Sequence, residues 1–397
     1  MISRISHACL LAAGLAAGSF FAARPSAAAA PASTPSGADS LLYAAPYLQD
    51  MQATSIDVLF QTRRHAVTWV EYGPDTTRLQ RARTLVDGQQ AVHDVAHRIH
   101  LSGLTPGQRY VYRVCAVELL ENHAYHKTFG DTARTPFRSF RLPGPGEEDF
   151  TAVIVNDLHM SAKVMDAFAA QLDTMRYDFV IFNGDCLPEP STRADAMRMI
   201  AACADMARSD EHPTWFLRGN HEIRNAYSSG MHTLLGNPGG RTYGAFSWGD
   251  TRFVMLDCGE DKPDSTWVYY GLNDFTALRR EQVDFLQAER RSRPFRRAGR
   301  RVLVHHIPLW LNTDKYQPCM ELWQPVVSRM AFDVDLCAHV HSFGYLEAGS
   351  KGNPFPVVRG GGPSMKGATM LVLVRQGKRL TLHVRNTEGA TVRTIEL

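Results

Sequence analysis

The stretch FLRGNHEI, residues 216–223, joins an apolar run to a cluster of polar side chains. The apolar part suits a buried strand, and Gly219 allows the sharp turn that follows it. Asn220 and His221 come next, although an amide and an imidazole are costly to bury without partners. The segment therefore predicts a strand whose end presents polar groups to a functional site.

Four other apolar runs of the chain also end in polar side chains. In open α/β sheets, ligands bind at the carboxyl ends of strands, so these groups are expected to converge on one edge. Carboxylates, imidazoles and a carboxamide brought together there would be costly to bury without a cation. This donor set suits Mn, Fe or Zn and is too rich in imidazole for Mg or Ca. The four runs are FTAVIVNDLH (150–159), YDFVIFNGD (177–185), RRVLVHHIP (300–308) and FDVDLCAHVH (332–341).

Two regions of the chain differ in pattern. Residues 41–142 contain short β-rich runs and no long helical period, which predicts an all-β sandwich of immunoglobulin-like type. The Pro/Gly-rich residues 142–148 form a hinge. In residues 149–397, apolar strands alternate with helical stretches, which predicts an α/β domain with a largely parallel sheet. Residues 370–386 are predicted to form a hairpin.

The N-terminus has the pattern of a secretory signal peptide. A charged start, a short apolar run and small residues predict a signal peptide over residues 1–30, followed by a linker over residues 31–40. We therefore expect a secreted or periplasmic protein, with no membrane span once the signal is removed. Removal would leave a net charge of +1, which gives no electrostatic case for binding nucleic acid.

Two features leave alternatives open. Six cysteines remain after residue 30, and six cysteines allow about 15 pairings that sequence does not distinguish. Residues 289–301 contain seven arginines. We interpret this run as a solvated helix end and loop, where cations are favoured, with an anion-binding patch as the alternative.

The order of the polar blocks resembles a known family. D-x-H, G-D, G-N-H-E, H-x-P and H-x-H occur in this sequence in the arrangement of the calcineurin-like metallophosphoesterases. With WVEYG and LTPGQRY in the β-rich region, the chain looks most like the purple acid phosphatase branch with an N-terminal fibronectin type III-like domain. The resemblance covers the chain from about residue 44 to its end. It implies a four-layer αββα sandwich preceded by the all-β domain.

The resemblance also implies two divalent metal ions, Mn, Fe or Zn, with Asp185 between them. Asn220 and His221 would face the substrate, with His221 as the catalytic residue, and Arg224 is a weaker candidate for a phosphate contact. Two cations about 3.5–4 Å apart can activate a bridging water and bind phosphoryl oxygens. The implied ligands are Asp157, His159, Asp185 and His341 at the first position, and Asp185, Asn220, His306 and His339 at the second.

We therefore expect an exported phosphatase that hydrolyses small phosphate monoesters by attack of a metal-activated hydroxide. A phosphodiesterase or nucleotide pyrophosphatase on the same centre is the alternative, and a non-catalytic surface binding protein is the remote one. The oligomeric state stays open.

The sequence departs from the purple branch at two positions that bear on colour. The tyrosine that gives the branch its colour falls three residues after the bridging aspartate, where this chain has Pro188. The branch also lacks a histidine in its first block, where this chain has His159. We therefore predict that the protein is not purple, with a swing of Tyr243 into the site as the alternative.

Overall fold

The computed structural model describes residues 40–397. The predicted signal peptide and nearly all of the predicted linker lie outside these residues. Among residues 40–397, no helix combines the length and the apolar composition that a membrane crossing needs.

The N-terminal region consists of strands alone, as the sequence predicts. A three-stranded sheet in the order β1-β2-β7 lies beside a second sheet in the order β10-β8-β3-β4, in which β9 also pairs with β8. Its identity as an immunoglobulin or fibronectin type III domain stays a prediction. The strands are β1 (Tyr47–Gln52), β2 (Ser55–Gln61), β3 (Ala66–Gly73), β4 (Gln80–Ala82), β5 (Leu85–Val86), β6 (Gln89–Gln90), β7 (Ala96–Leu101), β8 (Arg109–Asn122), β9 (Lys127–Arg134) and β10 (Arg138–Arg141).

The second region mixes strands and helices. Its strands are β11 (Phe150–Val155), β12 (Phe179–Asn183), β13 (Thr214–Leu217), β14 (Gly244–Trp248), β15 (Thr251–Leu256), β16 (Arg300–His305), β17 (Val334–Cys337), β18 (Gly344–Leu346), β19 (Val357–Arg359), β20 (Thr369–Gln376), β21 (Arg379–Asn386) and β22 (Thr391–Glu396). Its α-helices are α1 (Ala162–Leu172), α2 (Arg193–Met206), α3 (Phe275–Arg291), α4 (Arg293–Arg297) and α5 (Pro318–Val327). Short 3-10 helices span Ser228–Thr233, Pro238–Gly240 and Trp267–Tyr269.

These strands form two six-stranded sheets in the orders β13-β12-β11-β20-β21-β22 and β14-β15-β16-β17-β19-β18. Parallel pairing is confined to two runs of neighbouring strands. These are β11, β12 and β13 in the first sheet, and β15, β16, β17 and β19 in the second. The prediction of a largely parallel sheet is therefore wrong outside these strands. The reason is that several connections, such as the one after β14, are too short for a crossover and fold back as hairpins. The hairpin predicted over residues 370–386 is confirmed by the pairing of β20 with β21.

The two sheets pack face to face through an aromatic core. The rings of Trp215 and Phe246 stack with centroids 3.8 Å apart, and Phe179 meets Phe253 edge-on at 5.4 Å. Helices α1 and α2 cover the outer face of the first sheet, and α3 and α5 cover that of the second. The layer order is helix, sheet, sheet, helix, as expected for αββα. This packing brings the carboxyl ends of the parallel strands of both sheets to one edge.

The β-rich region is joined to the α/β region by hydrogen bonds and shared apolar packing. The Tyr47 hydroxyl donates to the Leu234 carbonyl at 2.5 Å, and the Tyr112 hydroxyl donates to that of Asp210 at 2.7 Å. Tyr47 and Leu59 also lie in the apolar cluster that α1 and α2 cover. The N-terminal strands therefore support the α/β region directly.

Candidate metal centre

The five predicted strand ends meet in the structure. Two groups of side chains form, and each offers ligand atoms that all lie within 4.8 Å of one another. Asp185 belongs to both groups, as expected for a carboxylate between two cations. The first group is Asp157, His159, Asp185 and His341, and the second is Asp185, His306 and His339.

Asn220, the remaining predicted ligand, lies beside the second group. Its Oδ1 atom lies 2.9 Å from Nδ1 of His339, and the residue is 1% exposed. His306 Nε2 lies 3.2 Å from Asp185 Oδ2, while its Nδ1 donates to the Asn183 carbonyl at 2.8 Å. That bond fixes the ring so that Nε2 faces the other ligand atoms, an arrangement typical of metal-binding histidines.

The ligand atoms of the first group also lie close to one another. Nε2 of His341 lies 3.3 Å from Asp157 Oδ1 and 3.1 Å from Nε2 of His159. Nε2 of His159 lies 3.8 Å from Asp185 Oδ2. Carboxylate oxygens and imidazole nitrogens therefore converge from three separate loops.

Two buried atoms of the site suit a cation. Asp157 Oδ1 and His306 Nε2 are buried and make no well-directed hydrogen bond among residues 40–397, although His341 Nε2 and Asp185 Oδ2 lie 3.3 and 3.2 Å away, respectively. Buried polar atoms without a partner are rare and costly. Burial lowers the pKa of His306, but the carboxylates of Asp185 and Asp157 outweigh burial and raise it to about 10. The donor set and the two orphaned atoms therefore fit a pair of divalent metals, whose binding would displace that proton.

Backbone strain concentrates at the same residues. Five of the predicted ligands have a positive φ, a conformation that costs a residue with a side chain on the order of 1–3 kcal/mol. Such strain persists only where the surrounding structure enforces it, and it is enriched at functional sites. The φ angles are 47° for Asp157, 42° for His159, 53° for Asp185, 74° for His339 and 58° for His341.

Two glycines make the close approach of these loops possible. A Cβ on Gly219 would lie 2.2 Å from Asp185 Oδ1 and 2.8 Å from His306 Nε2. A Cβ on Gly184, whose φ is 82°, would lie 2.3 Å from Nδ1 of His306. Each distance is too short for non-bonded atoms, so both positions require glycine.

Glu222 holds two of the loops together. Its carboxylate accepts hydrogen bonds from the backbone amides of Asp185, Leu187 and Gly219 at 2.8, 2.7 and 2.7 Å. The residue is 2% exposed. Glu222 therefore fixes the backbone that carries the shared aspartate.

His221 lies at the open side of the site. Its Nε2 is 4.0 Å from Asp185 Oδ2, and its Nδ1 is 3.2 Å from Glu189 Oε1. Its ring meets that of His159 edge-on at 4.7 Å. Because its side chain is 27% exposed, His221 can reach a substrate bound beside the two groups.

Arg224 is held by acidic residues. Its guanidinium donates to both carboxylate oxygens of Glu260, at 3.0 and 2.7 Å, and to Asp261 at 3.1 Å. The remaining nitrogen, Nη1, lies 3.3 Å from Nε2 of His221. The geometry therefore places this predicted phosphate contact beside the imidazole of His221.

Sequence reasoning missed two carboxylates at the site. Asp314 Oδ2 lies 3.1 Å from Nε2 of His339, and Glu189 contacts His221. Both lie in loops without motif or periodicity, so no sequence signal singled them out. His305 lies beside the predicted ligand His306 but is turned away from the metal groups, since its Nδ1 donates to the Ile307 carbonyl at 2.9 Å.

The chain matches the family model described as calcineurin-like phosphoesterase over residues 150–343. These residues include all of the predicted ligands. Residues 150–343 form a calcineurin-like metallophosphoesterase domain. The matched family implies a phosphoric ester hydrolase, and the two residue groups of this domain fit a dimetal centre.

Two solved structures share the fold over most of the chain. A purple acid phosphatase from yellow lupin seeds (Lupinus luteus) matches with a TM-score of 0.64 and 14% identity, over 88% of this chain and 73% of that one. A structure of PhoD matches with a TM-score of 0.59 and 13% identity, over 89% of this chain and 88% of that one. No curated protein matches the chain by sequence. At these identities, the structural likeness shows the fold alone.

Proposed function

We propose that the protein is a dimetal phosphatase that hydrolyses small phosphate monoesters. The observation that carries this proposal is the sharing of Asp185 between two ligand groups at the carboxyl edge of the sheets. Asp157, His159 and His341 would hold the first metal with Asp185, and Asn220, His306 and His339 would hold the second. When bound, a metal pair supplies an activated water and a clamp on phosphoryl oxygens.

His221 is the catalytic residue in this proposal. It is outside both ligand groups, and Arg224 and Glu189 contact its two ring nitrogens. This position suits a group that stabilises the phosphoryl oxygens or gives a proton to the leaving oxygen. Arg224 acts mainly by orienting the imidazole, because Glu260 and Asp261 already occupy most of its donors.

The rival proposal, a non-catalytic binding protein, predicts that one or more of the metal-ligating residues have been lost. All seven predicted ligands remain, and the glycines and Glu222 that position them remain as well. Retention of these costly features supports a catalytic site. We also propose that the protein is exported, on the basis of residues 1–30 alone.

A comparison of two chromogenic esters tests the substrate class. We expect p-nitrophenyl phosphate to be hydrolysed with a higher kcat/KM than bis(p-nitrophenyl) phosphate by the Mn- or Zn-loaded protein. The His221→Ala variant serves as the control for turnover at the site. Preference for the diester would replace the monoester proposal with a phosphodiesterase, and hydrolysis of neither ester by metal-loaded protein would contradict both.

A further inference from the structure

A cavity of about 700 Å³ lies where three helices of the second sheet's outer layer meet. Gln287 and two arginines come from the last turns of α3, one arginine comes from α4, and one follows α5. Pro325 and Val326 add an apolar wall. The four arginines are Arg290, Arg291, Arg296 and Arg329.

None of these four guanidinium groups has a hydrogen-bond or ion-pair partner among residues 40–397, and all four residues are exposed. Neighbouring arginines differ in this respect. Arg252 donates to Glu289 at 2.7 Å, and Arg300 donates to Asp333 at 2.6 Å. Glu289 and Asp333 are thus paired with other arginines, and the residues that line the cavity include four arginines and no acidic residue.

Stabilisation of helix ends explains part of this pattern but not all of it. The carboxyl ends of α3 and α5 lie near the cavity, and each carries roughly half a negative charge. The four guanidinium groups carry four positive charges, about three more than the two helix ends together would balance. Arg329 also lies 28 residues beyond the arginine-rich run 289–301, so the fold assembles a cluster that the run alone does not contain.

The cavity is distant from the candidate metal centre. The first turns of α3 lie near that centre, since Arg279 donates to the carbonyl of Glu260, whose carboxylate binds Arg224. Helix α3 has 17 residues, so its two ends are about 25 Å apart. An anion in the cavity therefore could not also contact His221.

We propose that this cavity, which we term the arginine cavity, binds a compact anion that carries several phosphate or sulfate groups. Guanidinium groups match the planar, bidentate geometry of such oxyanions, and release of the repulsion between four cations favours binding. A volume of about 700 Å³ falls within the range of small-molecule sites. Its concave shape favours a compact ligand over a flat lipid surface.

Sucrose octasulfate is the probe, because sulfate esters at this site are not substrates of the proposed phosphatase. Isothermal titration of the full metal-loaded protein at about 150 mM salt is expected to show one binding site for the probe per chain. The affinity for the probe should fall as the salt concentration is raised, because salt screens the charge pairs. The double variant Arg290→Gln/Arg296→Gln should bind about tenfold or more weakly, since two charge-assisted contacts are lost. Its hydrolysis of p-nitrophenyl phosphate should equal that of the wild type.

Arg280→Gln is the matched control. Arg280 is exposed, lies on the same helix and does not line the cavity. If Arg280→Gln weakened binding of the probe equally, the effect would come from the overall charge of the protein, which would overturn the proposal. Absence of wild-type binding would also overturn it. Arginine-dependent binding to vesicles of anionic phospholipid, without binding of the soluble probe, would instead assign the surface to a membrane.

Discussion

The two halves of the candidate metal centre differ in how firmly the protein holds them. In the second group, His306 is fully buried, Asn220 is 1% exposed and the side chain of His339 is 13% exposed. In the first group, the side chain of His341 is 43% exposed and that of His159 is 17% exposed. Asp185 is common to both, so the difference lies in the histidines and in what supports them.

The supporting contacts follow the same division. His306 is fixed by the Asn183 carbonyl, and His339 is fixed by Asp314. For His159 and His341, no partner of the Nδ1 atom is found within residues 40–397. Ligands held by outer contacts lose less entropy when a metal binds. The second position is therefore expected to bind its metal tightly, and the first is expected to exchange its metal with solvent.

Replacement of one histidine in each group should show whether the two metal positions differ in affinity. His306→Ala is expected to lose the second metal and to lower turnover on the order of a thousandfold or more, because several kcal/mol of charge stabilisation disappear. His341→Ala should lose the first metal more gradually and regain turnover when Mn or Zn is added. The measurement is metal content per chain with turnover at increasing metal concentration. Equal rescue of both variants would contradict the proposed difference.

His221→Ala should keep both metals while it slows turnover by about 10²- to 10⁴-fold, the range for loss of a general acid or base. The physical reason is that His221 belongs to neither ligand group, although it lies beside Asp185 and His159. Elemental analysis that shows one metal lost in this variant would make His221 a ligand.

Asp314→Asn should weaken binding of the second metal by about 10- to 100-fold, since it removes the charged partner of His339. The first position should be unchanged. Competition with a chelator measures this affinity without reference to activity. Asp284→Asn is the control, because Asp284 is exposed on α3, away from the site. An effect on both positions alike would show that Asp314 only affects folding.

The predicted absence of purple colour tests the first position alone. Pro188 cannot ligate, and the neutral imidazole of His159 stands in the first group. The alternative of Tyr243 is not supported, because its ring packs at 5.3 Å from that of Phe285 and is 5% exposed. Iron-loaded, oxidised protein should therefore lack a strong visible band. A tyrosinate band would show that the ligand set is incomplete.

The clustering of the predicted ligands could be anticipated from the sequence, because each of them follows an apolar strand. The parallel order of those strands brings their ends together, so local patterns were enough for residues such as Asp157 and His306. Asp314 could not be predicted, since it reaches His339 from a loop whose path depends on tertiary packing. Arg329 joins the arginine cavity for the same reason.

The fold shows a similar limit. Apolar runs and alternation predicted the two regions, but they did not predict how strands are ordered within a sheet. Strands β20–β22 add to the first sheet as antiparallel neighbours, which depends on edge pairing far along the chain. Strand β22 is mostly exposed, so its sequence carries little apolar signal.

The metal content of wild-type protein and of Asp185→Asn tests the central claim most directly, because Asp185 is the one side chain that both ligand groups contain. We expect two divalent metals per chain in the wild type. In Asp185→Asn, whose folding is checked by thermal melting, we expect loss of at least one metal and of phosphatase activity. A folded Asp185→Asn protein that keeps two metals and wild-type turnover would contradict a dimetal centre that shares Asp185.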